Sequence, residues 1–290
     1  MSESGERPRR RDAILLLPDA DAACMNSTPA TERFRHLHRD GLLLLANAWD
    51  AGSARLVESL GAPAVATTSA GLAWAQGHAD GDRLPPERLL AAVAPIARTV
   101  RVPLSVDLES GYSDDPGAVA ELVLRLAGLG VCGINLEDGA GPPERLCAKI
   151  ERIKRACAAA GTDVFVNART DVYLLGLAPA GERVAATLAR AAAYREAGAD
   201  GLFVPGLSAE AEIGMIAAAA GLPLNLMLVP RLPELERLRA LGVRRLSAGA
   251  ALAKRVYGLL AGLGARFLRE GRLPDGPAMD YAALNALFER

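Results

Sequence analysis

From residue 42 onward, short apolar runs alternate with longer amphipathic segments rich in Ala, Leu, Arg and Glu. Short apolar runs are typical of buried parallel strands and amphipathic segments of the helices that cover them, so the alternation predicts an α/β fold. Eight strand–helix units are the number found in a (β/α)8 TIM barrel. The predicted strands are residues 42–49, 64–69, 104–110, 133–138, 164–170, 201–205, 223–229 and 243–248.

The chain has 290 residues, a length that allows either one such barrel or two smaller domains. The eight predicted strands favour one barrel. The chain then divides into three segments, which are a flexible N-terminal extension at 1–30, a TIM-barrel catalytic domain at 31–272 and a C-terminal helical tail at 273–290. The extension contains an apolar run too short for a signal peptide, and translation could start at Met1 or at Met25. The tail is more than one barrel needs, and it either caps its own barrel or packs on a partner subunit.

Composition narrows the possible partners. The formal net charge is −1, which gives no electrostatic basis for binding nucleic acid or an anionic membrane. No apolar stretch is long enough to span a bilayer. A small molecule is therefore the expected partner. The four cysteines form no CxxC pair, which indicates reduced thiols in a cytoplasmic protein.

Histidine and lysine are both scarce, which excludes two kinds of active site. There are only three histidines, so a zinc site built from several of them is excluded. The three lysines, Lys149, Lys154 and Lys254, lie in predicted helices rather than at strand ends. Schiff-base chemistry of the aldolase kind is therefore not expected.

Polar side chains occur in pairs near the ends of three consecutive predicted strands. In a TIM barrel the active site lies at the carboxyl ends of the strands, and residues two apart on a strand share a face. Each pair should therefore point into the same end of the barrel. The pairs are Asp107 with Glu109, Asn135 with Glu137, and Asn167 with Arg169.

Carboxylates that converge in one mouth repel each other unless a cation or a shared proton neutralises them. Oxygen ligands without His or Cys favour Mg²⁺, or Mn²⁺, over zinc. Asp80 and Asp82, after the second predicted strand, are placed to add a further acidic group. The alternative for each carboxylate taken singly is a helix cap or an ion pair with an arginine.

Other groups near the same end suit an anionic substrate. Arg169 presents a planar fork that fits a carboxylate, although an internal salt bridge to Glu137 or Asp171 would also explain it. The residues at 67–72 combine hydroxyls with a glycine, so that backbone amides could approach an anionic oxygen, but the same residues are common in turns. Asn225 could bind substrate or satisfy a buried backbone group.

In combination, these motifs resemble the isocitrate lyase and phosphoenolpyruvate mutase superfamily, especially its phosphonomutase-like branch, which includes carboxyvinyl-carboxyphosphonate phosphorylmutase and relatives of methylisocitrate lyase. They follow one another in order across nearly the whole predicted barrel. The motifs are NAWD (47–50), ATTSAGL (66–72), GHADGD (77–82), VDLESGY (106–112), NLED (135–138) and ARTD (168–171).

The resemblance implies a Mg²⁺-dependent enzyme that acts through the enolate of a small 2-oxo acid. It implies Asp107 as the direct metal ligand, with Asp80, Glu109 and Glu137 holding the ion through water. Arg169 would bind the far end of the substrate and, with Glu137, form the catalytic centre. The resemblance also implies a homodimer or homotetramer with an exchanged C-terminal helix. The implied substrate contacts are Ser69, Ala70, Gly71 and Leu72, to which we add Asn225.

The segment after the fourth predicted strand departs from the resemblance. Lyases of the superfamily carry a Lys-Lys/Arg-Cys-Gly-His loop there, and the mutases carry a Lys and an Asn. This chain has GAGPPERLCAK at 139–149. Cys147 is near the right distance but lacks the flanking residues, so a thiol on a helix face is the favoured interpretation. His78 is a possible proton carrier, and a solvated loop histidine is the favoured alternative.

These observations predict a lyase that cleaves or forms a carbon–carbon bond in a small 2-oxo or 2-hydroxy carboxylate. One alternative is a phosphoenolpyruvate mutase, phosphonopyruvate hydrolase or oxaloacetate hydrolase activity on the same scaffold. Another is a barrel that binds a carboxylate without catalysis.

Overall fold

The computed structural model describes residues 29–289. The predicted N-terminal extension, with Cys24 and both candidate start residues Met1 and Met25, lies outside these residues except for its last two positions. The three cysteines within them, Cys132, Cys147 and Cys157, are free thiols, as expected.

In this described part of the chain, nine parallel strands form one sheet in the order β1-β9-β8-β7-β6-β5-β4-β3-β2. The first predicted strand is two strands here, because β1 pairs with β9 whereas β2 pairs with β3. One stretch of chain thus joins both ends of the sheet, and the predicted TIM barrel is confirmed. The strands are β1 Leu43–Leu45, β2 Asn47–Ala48, β3 Val65–Thr67, β4 Leu104–Asp107, β5 Gly133–Glu137, β6 Phe165–Arg169, β7 Gly201–Phe203, β8 Leu224–Met227 and β9 Val243–Ser247.

Helices follow the strands and cover the barrel. Buried Leu, Ile and Val side chains fill the layer between strands and helices, as the alternating pattern requires. The helices are α1 Ala30–His36, α2 Ala51–Ser59, α3 Ser69–Ala75, α4 Pro86–Thr99, α5 Pro116–Gly128, α6 Pro143–Ala159, α7 Arg183–Glu196, α8 Glu210–Ala219, α9 Leu235–Ala240, α10 Ala251–Glu270 and α11 Tyr281–Ala286, with a short 3₁₀ turn at Ala180–Glu182.

Helix α1 closes the amino-terminal end of the barrel. Its Phe34 is fully buried and packs edge-on against Phe165, with ring centroids 5.3 Å apart. His38 stacks on the same Phe165 ring at 4.4 Å. A Cβ at Gly133 would lie 2.6 Å from Phe34 Cε1, so β5 must carry a glycine where the Phe34 ring enters. The floor of the barrel is therefore a packed aromatic cluster.

The C-terminal helices lie largely outside this core. Only Ala253 is buried in α10, and no residue is buried in α11. The tail returns to its own barrel beside α2, where Arg55 Nε donates to the carbonyl of Leu287 at 2.6 Å. Among residues 29–289, no helix has the length and apolar character needed to cross a bilayer.

The aromatic floor should contribute strongly to stability. We expect Phe34→Ala to cost about 3–5 kcal/mol, because it removes a fully buried ring and leaves a cavity that the strands cannot fill. The control is Leu44→Ala on the same side of the barrel, where the side chain is 43% exposed and the change should stay near 0.5 kcal/mol. Urea unfolding followed by circular dichroism measures both. Equal losses in the two variants would contradict the role of Phe34.

Candidate functional site

Three ionisable side chains meet at the carboxyl ends of β4, β5 and β6. Asp107 ends β4 and lies in register with Asn135 on β5, and Glu137 at the end of β5 lies in register with Arg169 on β6. Adjacent strands place these residues side by side because each occupies an inward position. The structure thus brings together the predicted metal ligands Asp107 and Glu137 and the predicted substrate-binding Arg169.

Asp107 is tied to the neighbouring strand and helix. Its backbone N–H donates to Thr67 Oγ1 at 3.0 Å, its Oδ1 accepts from the backbone amide of Glu109 at 3.5 Å, and Ser69 lies near its carboxylate. Burial nevertheless raises the pKa of Asp107, since the loss of hydration outweighs the nearby charge of Arg169 and these hydrogen bonds. Asp107 is therefore a desolvated carboxylate whose charge is only partly compensated.

The segment after β3 differs from the prediction that its strand extends to Ser69. Strand β3 ends at Thr67, and Ser69 is the first residue of α3. Ser69 lies near the negative carboxylate of Asp107, and the amide of Leu72 donates to the carbonyl of Thr68. The first-turn amides of Ala70 and Gly71 have no acceptor within the helix. Of the four predicted substrate contacts, these two therefore have the amides best suited to an anion.

Glu109 also differs from the prediction, because β4 ends two residues before it. Its φ is 51°, a left-handed conformation that is unusual for a residue with a side chain. Glu109 Oε2 accepts from the backbone amide of Asp82, and Oε1 accepts from the hydroxyl of Tyr112 at 3.0 Å. Burial, with a contribution from the charges of Asp82 and Asp80, raises the pKa of Glu109. Glu109 therefore links the loop that carries Asp80 and Asp82 to the end of β4 through a hydrogen bond.

Glu137 and Arg169 form an ion pair, and Arg169 is also clamped by Asp171. Arg169 Nε and Nη2 donate to the two Asp171 oxygens at 2.7 and 3.1 Å. The internal salt bridges considered as an alternative for Arg169 are thus both made. Burial raises the pKa of Glu137 to about 8, against the opposing charge of Arg169 and with support from the charges of Asp107 and Asp171.

Asp138 supports this clamp, although the sequence did not single it out for a role. Its side chain is fully buried and accepts from the backbone amide of Asp171 at 3.0 Å, from Arg190 at 2.5 Å and from the hydroxyl of Tyr194. Asp138 therefore fixes the start of the segment that carries Asp171.

Below these residues the barrel interior is polar. Asn167 donates to Asn135 Oδ1 at 2.9 Å, and Arg245 on β9 donates to the same oxygen at 3.3 Å. Asn225 is buried beside Arg245 in register, and Ser247 donates to its Oδ1 at 3.5 Å. Arg245 was missed by the sequence analysis, although its place two residues before Ser247 puts it on the inward face of the predicted strand.

The remaining predicted residues lie at the rim. Asp80 and Asp82 are exposed and His78 is half-buried. Cys147 lies within α6 rather than on a loop, and its burial, with the charges of Glu144 and Glu151, raises its thiol pKa. The favoured interpretation of Cys147 as a helix-face thiol fits this position.

The acidic groups do not form a compact cage. In the described part of the chain, no three Asp, Glu, His or Cys side chains are arranged to hold one metal ion together. An ion at this mouth would have to keep much of its hydration, which Mg²⁺ does readily in proteins. The chemistry fits in one other respect, because the donors are all carboxylate oxygens. Glu137 Oε2 contacts Arg169 in the ion pair but accepts no hydrogen bond among residues 29–289.

Comparison with known proteins agrees with this arrangement. The family model for phosphoenolpyruvate phosphomutase matches residues 34–267. An uncharacterized protein of Mycobacterium tuberculosis is 38% identical over 222 residues, which cover 75% of this chain and 81% of the relative. An oxaloacetate decarboxylase of Bradyrhizobium sp. is 29% identical over 238 residues, covering 78% and 80% of the two chains.

A solved structure gives the same result. A Burkholderia cenocepacia protein described as a phosphonomutase is 42% identical, and the match covers 81% of this chain and 99% of that one with a TM-score of 0.77. The family match spans the barrel, including the strands that carry Asp107, Glu137 and Arg169. The chain therefore belongs to the phosphoenolpyruvate phosphomutase family of the phosphoenolpyruvate mutase and isocitrate lyase superfamily.

Proposed function

We propose that this protein is a Mg²⁺-dependent lyase that cleaves or forms a carbon–carbon bond in a small 2-oxo or 2-hydroxy carboxylate through an enolate. The observation that carries the proposal is the meeting of Asp107, Glu137 and Arg169 at one end of the barrel. Two carboxylates of raised pKa beside a single shared guanidinium form a site that lacks positive charge. A divalent cation, with Mn²⁺ as an alternative to Mg²⁺, would supply that charge.

Asp107 and Glu137 are the residues best placed to hold the ion, Asp107 directly and Glu137 through water. Glu109 and Asp80 would attract the ion from a longer distance. Both oxygens of Glu109 already accept hydrogen bonds, and Asp80 is exposed at the rim. Bound Mg²⁺ would supply stabilisation of the negative charge that develops on the enolate oxygen.

Arg169 and the first turn of α3 would orient the substrate. Asp171 holds the Arg169 guanidinium by two hydrogen bonds and Glu137 contacts its Nη1, so a substrate carboxylate would bind a fixed group through the second hydrogens of Nη1 and Nη2. The free amides of Ala70 and Gly71, at the positive end of a helix, suit the substrate's other carboxylate oxygens. Asn225, deeper in the barrel, would contribute through the polar interior.

Within this class, the connection between β5 and α6 favours substrates whose cleavage needs no base from that segment. Only residues 138–142 connect β5 to α6. Their one ionisable side chain, that of Asp138, is fully buried and already bound to Arg190 and to the amide of Asp171. Cleavage of a 2-hydroxy acid requires a base to remove the hydroxyl proton. In decarboxylation of a 2-oxo acid that bears a 3-carboxyl group, the bond electrons pass to the carbonyl, CO₂ leaves, and water protonates the enolate carbon. The similarity to an oxaloacetate decarboxylase supports this reaction.

A mutase or hydrolase acting on a phosphonate is the second candidate, and it is favoured by the similarity to the protein described as a phosphonomutase. Both candidates share the carboxylates and Arg169. Incubating the protein with Mg²⁺ and a panel of 2-oxo acids, 2-hydroxy acids and phosphonates, and measuring CO₂, pyruvate and phosphate, separates them. Release of phosphate without CO₂ would replace the lyase by the second candidate, and no turnover at all would favour a carboxylate-binding barrel without catalysis.

The exposed face of α10 supports assembly into a homodimer or homotetramer. Large apolar side chains are exposed to solvent along this helix, and an exposed apolar patch of this size is typical of a protein–protein interface. We therefore propose that a second copy of the chain covers it, through exchange or side-by-side packing of the C-terminal helices. The exposed residues are Leu252, Val256, Tyr257, Leu259, Leu260, Phe267 and Leu268.

Asp107→Asn should abolish metal-dependent ligand binding, because it removes the charge that holds the ion while keeping the size of the side chain. Oxalate, a mimic of the pyruvate enolate, should bind the wild type only with Mg²⁺, and the variant at least about 100-fold more weakly. The control is Asp114→Asn, an exposed carboxylate further along the same loop, which should bind as the wild type does. Calorimetry measures all three, and metal-independent oxalate binding would contradict the proposal.

The affinity for Mg²⁺ should rise with pH. Because burial raises the pKa of Glu137 to about 8, this carboxyl is protonated at pH 6 and must lose its proton to attract the ion. Affinity should therefore increase up to roughly tenfold per pH unit between pH 6 and 8 and level off above. Glu137→Gln should flatten the rise. Calorimetry in buffers of different ionisation enthalpy counts the released protons, and a flat profile in the wild type would exclude this role for Glu137.

Oligomerisation should depend on the face of α10. We expect the wild type to elute at no less than twice its chain mass of 30.3 kDa, and Leu260→Glu to elute as a single chain, because a charge cannot be buried in an apolar interface. Leu60→Glu is the matched control, since the two leucines are 61% and 62% exposed. Size-exclusion chromatography with light scattering tests this, and a monomeric wild type would refute it.

A further inference from the structure

Arg245 is a charged side chain sealed inside the barrel without a matching acid. It is fully buried, and within the described part of the chain its one hydrogen bond runs from Nη2 to Asn135 Oδ1 at 3.3 Å. Nε and Nη1 have no hydrogen-bond partner among residues 29–289 and are shielded from solvent. The guanidinium carbon lies 5.9 Å from the centre of the Phe34 ring. Arg245 thus stands between the aromatic floor and the polar layer below the site.

The guanidinium keeps its charge in this place. Burial lowers the pKa of Arg245 only to about 10, partly because the charge of Asp107 opposes the effect of burial, so the group is cationic at neutral pH. Its charge also helps burial to lower the pKa of His38 to about 3, so the imidazole beside it stays neutral. Arg245 is therefore an isolated positive charge, directed from below at the end of the barrel that holds Asp107.

An arrangement of this kind costs stability. Removing an ion from water costs several kcal/mol, and a paired buried ion can often be replaced by an apolar residue without loss. Among the described residues, Arg245 has neither a carboxylate within ion-pair distance nor a full set of hydrogen bonds. An apolar residue of similar volume would pack here against Phe34 at lower cost. Folding alone does not explain an arginine at this position.

We infer that Arg245 is a positioning residue of the site, whose fixed positive charge beneath Asp107 and Glu137 stabilises an anionic ligand at the carboxyl end of the barrel. This inference rests on the proposed function, because it assigns the site an anionic ligand. A charge held in a dry interior acts over a longer distance than one in water, and it needs no reorganisation when the ligand becomes more negative. The hydrogen bond to Asn135 keeps the guanidinium under the strands that carry the two carboxylates.

Two substitutions separate the charge of Arg245 from its hydrogen bond. Arg245→Met removes both, and Arg245→Gln keeps a donor for Asn135 without the charge. Both should bind oxalate in the presence of Mg²⁺ roughly tenfold more weakly than the wild type. The metal-free Arg245→Met protein should also melt at a higher temperature, by roughly 2–10 °C. Calorimetry and thermal unfolding by circular dichroism give the two readouts.

Arg35→Met is the matched control, because Arg35 has acidic partners at the opposite end of the barrel, Asp163 and Asp200, both at 2.9 Å. It should melt at a lower temperature and bind oxalate as the wild type does. Wild-type oxalate affinity in Arg245→Gln, or a lower melting temperature in Arg245→Met, would overturn the inference while leaving the proposed function intact. Failure of the wild type itself to bind oxalate with Mg²⁺ would instead overturn the proposed function, and this inference with it.

Discussion

The mouth of this barrel holds more buried carboxylates than cationic side chains, and the hydrogen bonds and ion pairs around it partly offset that imbalance of charge. Asp107 and Glu137 are removed from water by the strands that carry them, and burial raises the pKa of both. Their close cationic partner is Arg169, which is shared with Asp171. Each of these side chains is oriented by a neighbour, so the site is rigid where it is charged.

The supports of the site come from parts of the chain that are distant in sequence. Thr67 on β3 holds the backbone of Asp107 on β4, and Asp138 fixes the segment of Asp171 with help from Arg190 and Tyr194 on α7. A barrel makes this possible because every strand ends at the same rim. The chemistry of the site is therefore a property of the closed sheet rather than of any one motif.

The alternation of apolar runs and amphipathic segments is enough to predict the barrel. Residues two apart on a strand share a face, and this rule is enough to place Glu137 and Arg169 on the inner side of neighbouring strands. Three features depended on information that a pattern does not contain. The division of the first strand reflects pairing with two different neighbours. The left-handed backbone of Glu109 depends on its bonds to Asp82 and Tyr112. The isolation of Arg245 is visible only once the strands around it show no acid to pair with it.

The short connection between β5 and α6 limits what this part of the chain contributes at the barrel mouth. Residues 138–142 turn directly into α6 through a hydrogen bond from the amide of Gly141 to the carbonyl of Asp138 at 2.9 Å. Their one ionisable side chain, that of Asp138, is fully buried. This side of the mouth is therefore bordered by backbone and small side chains, and a bound molecule would meet no titratable side chain from this connection.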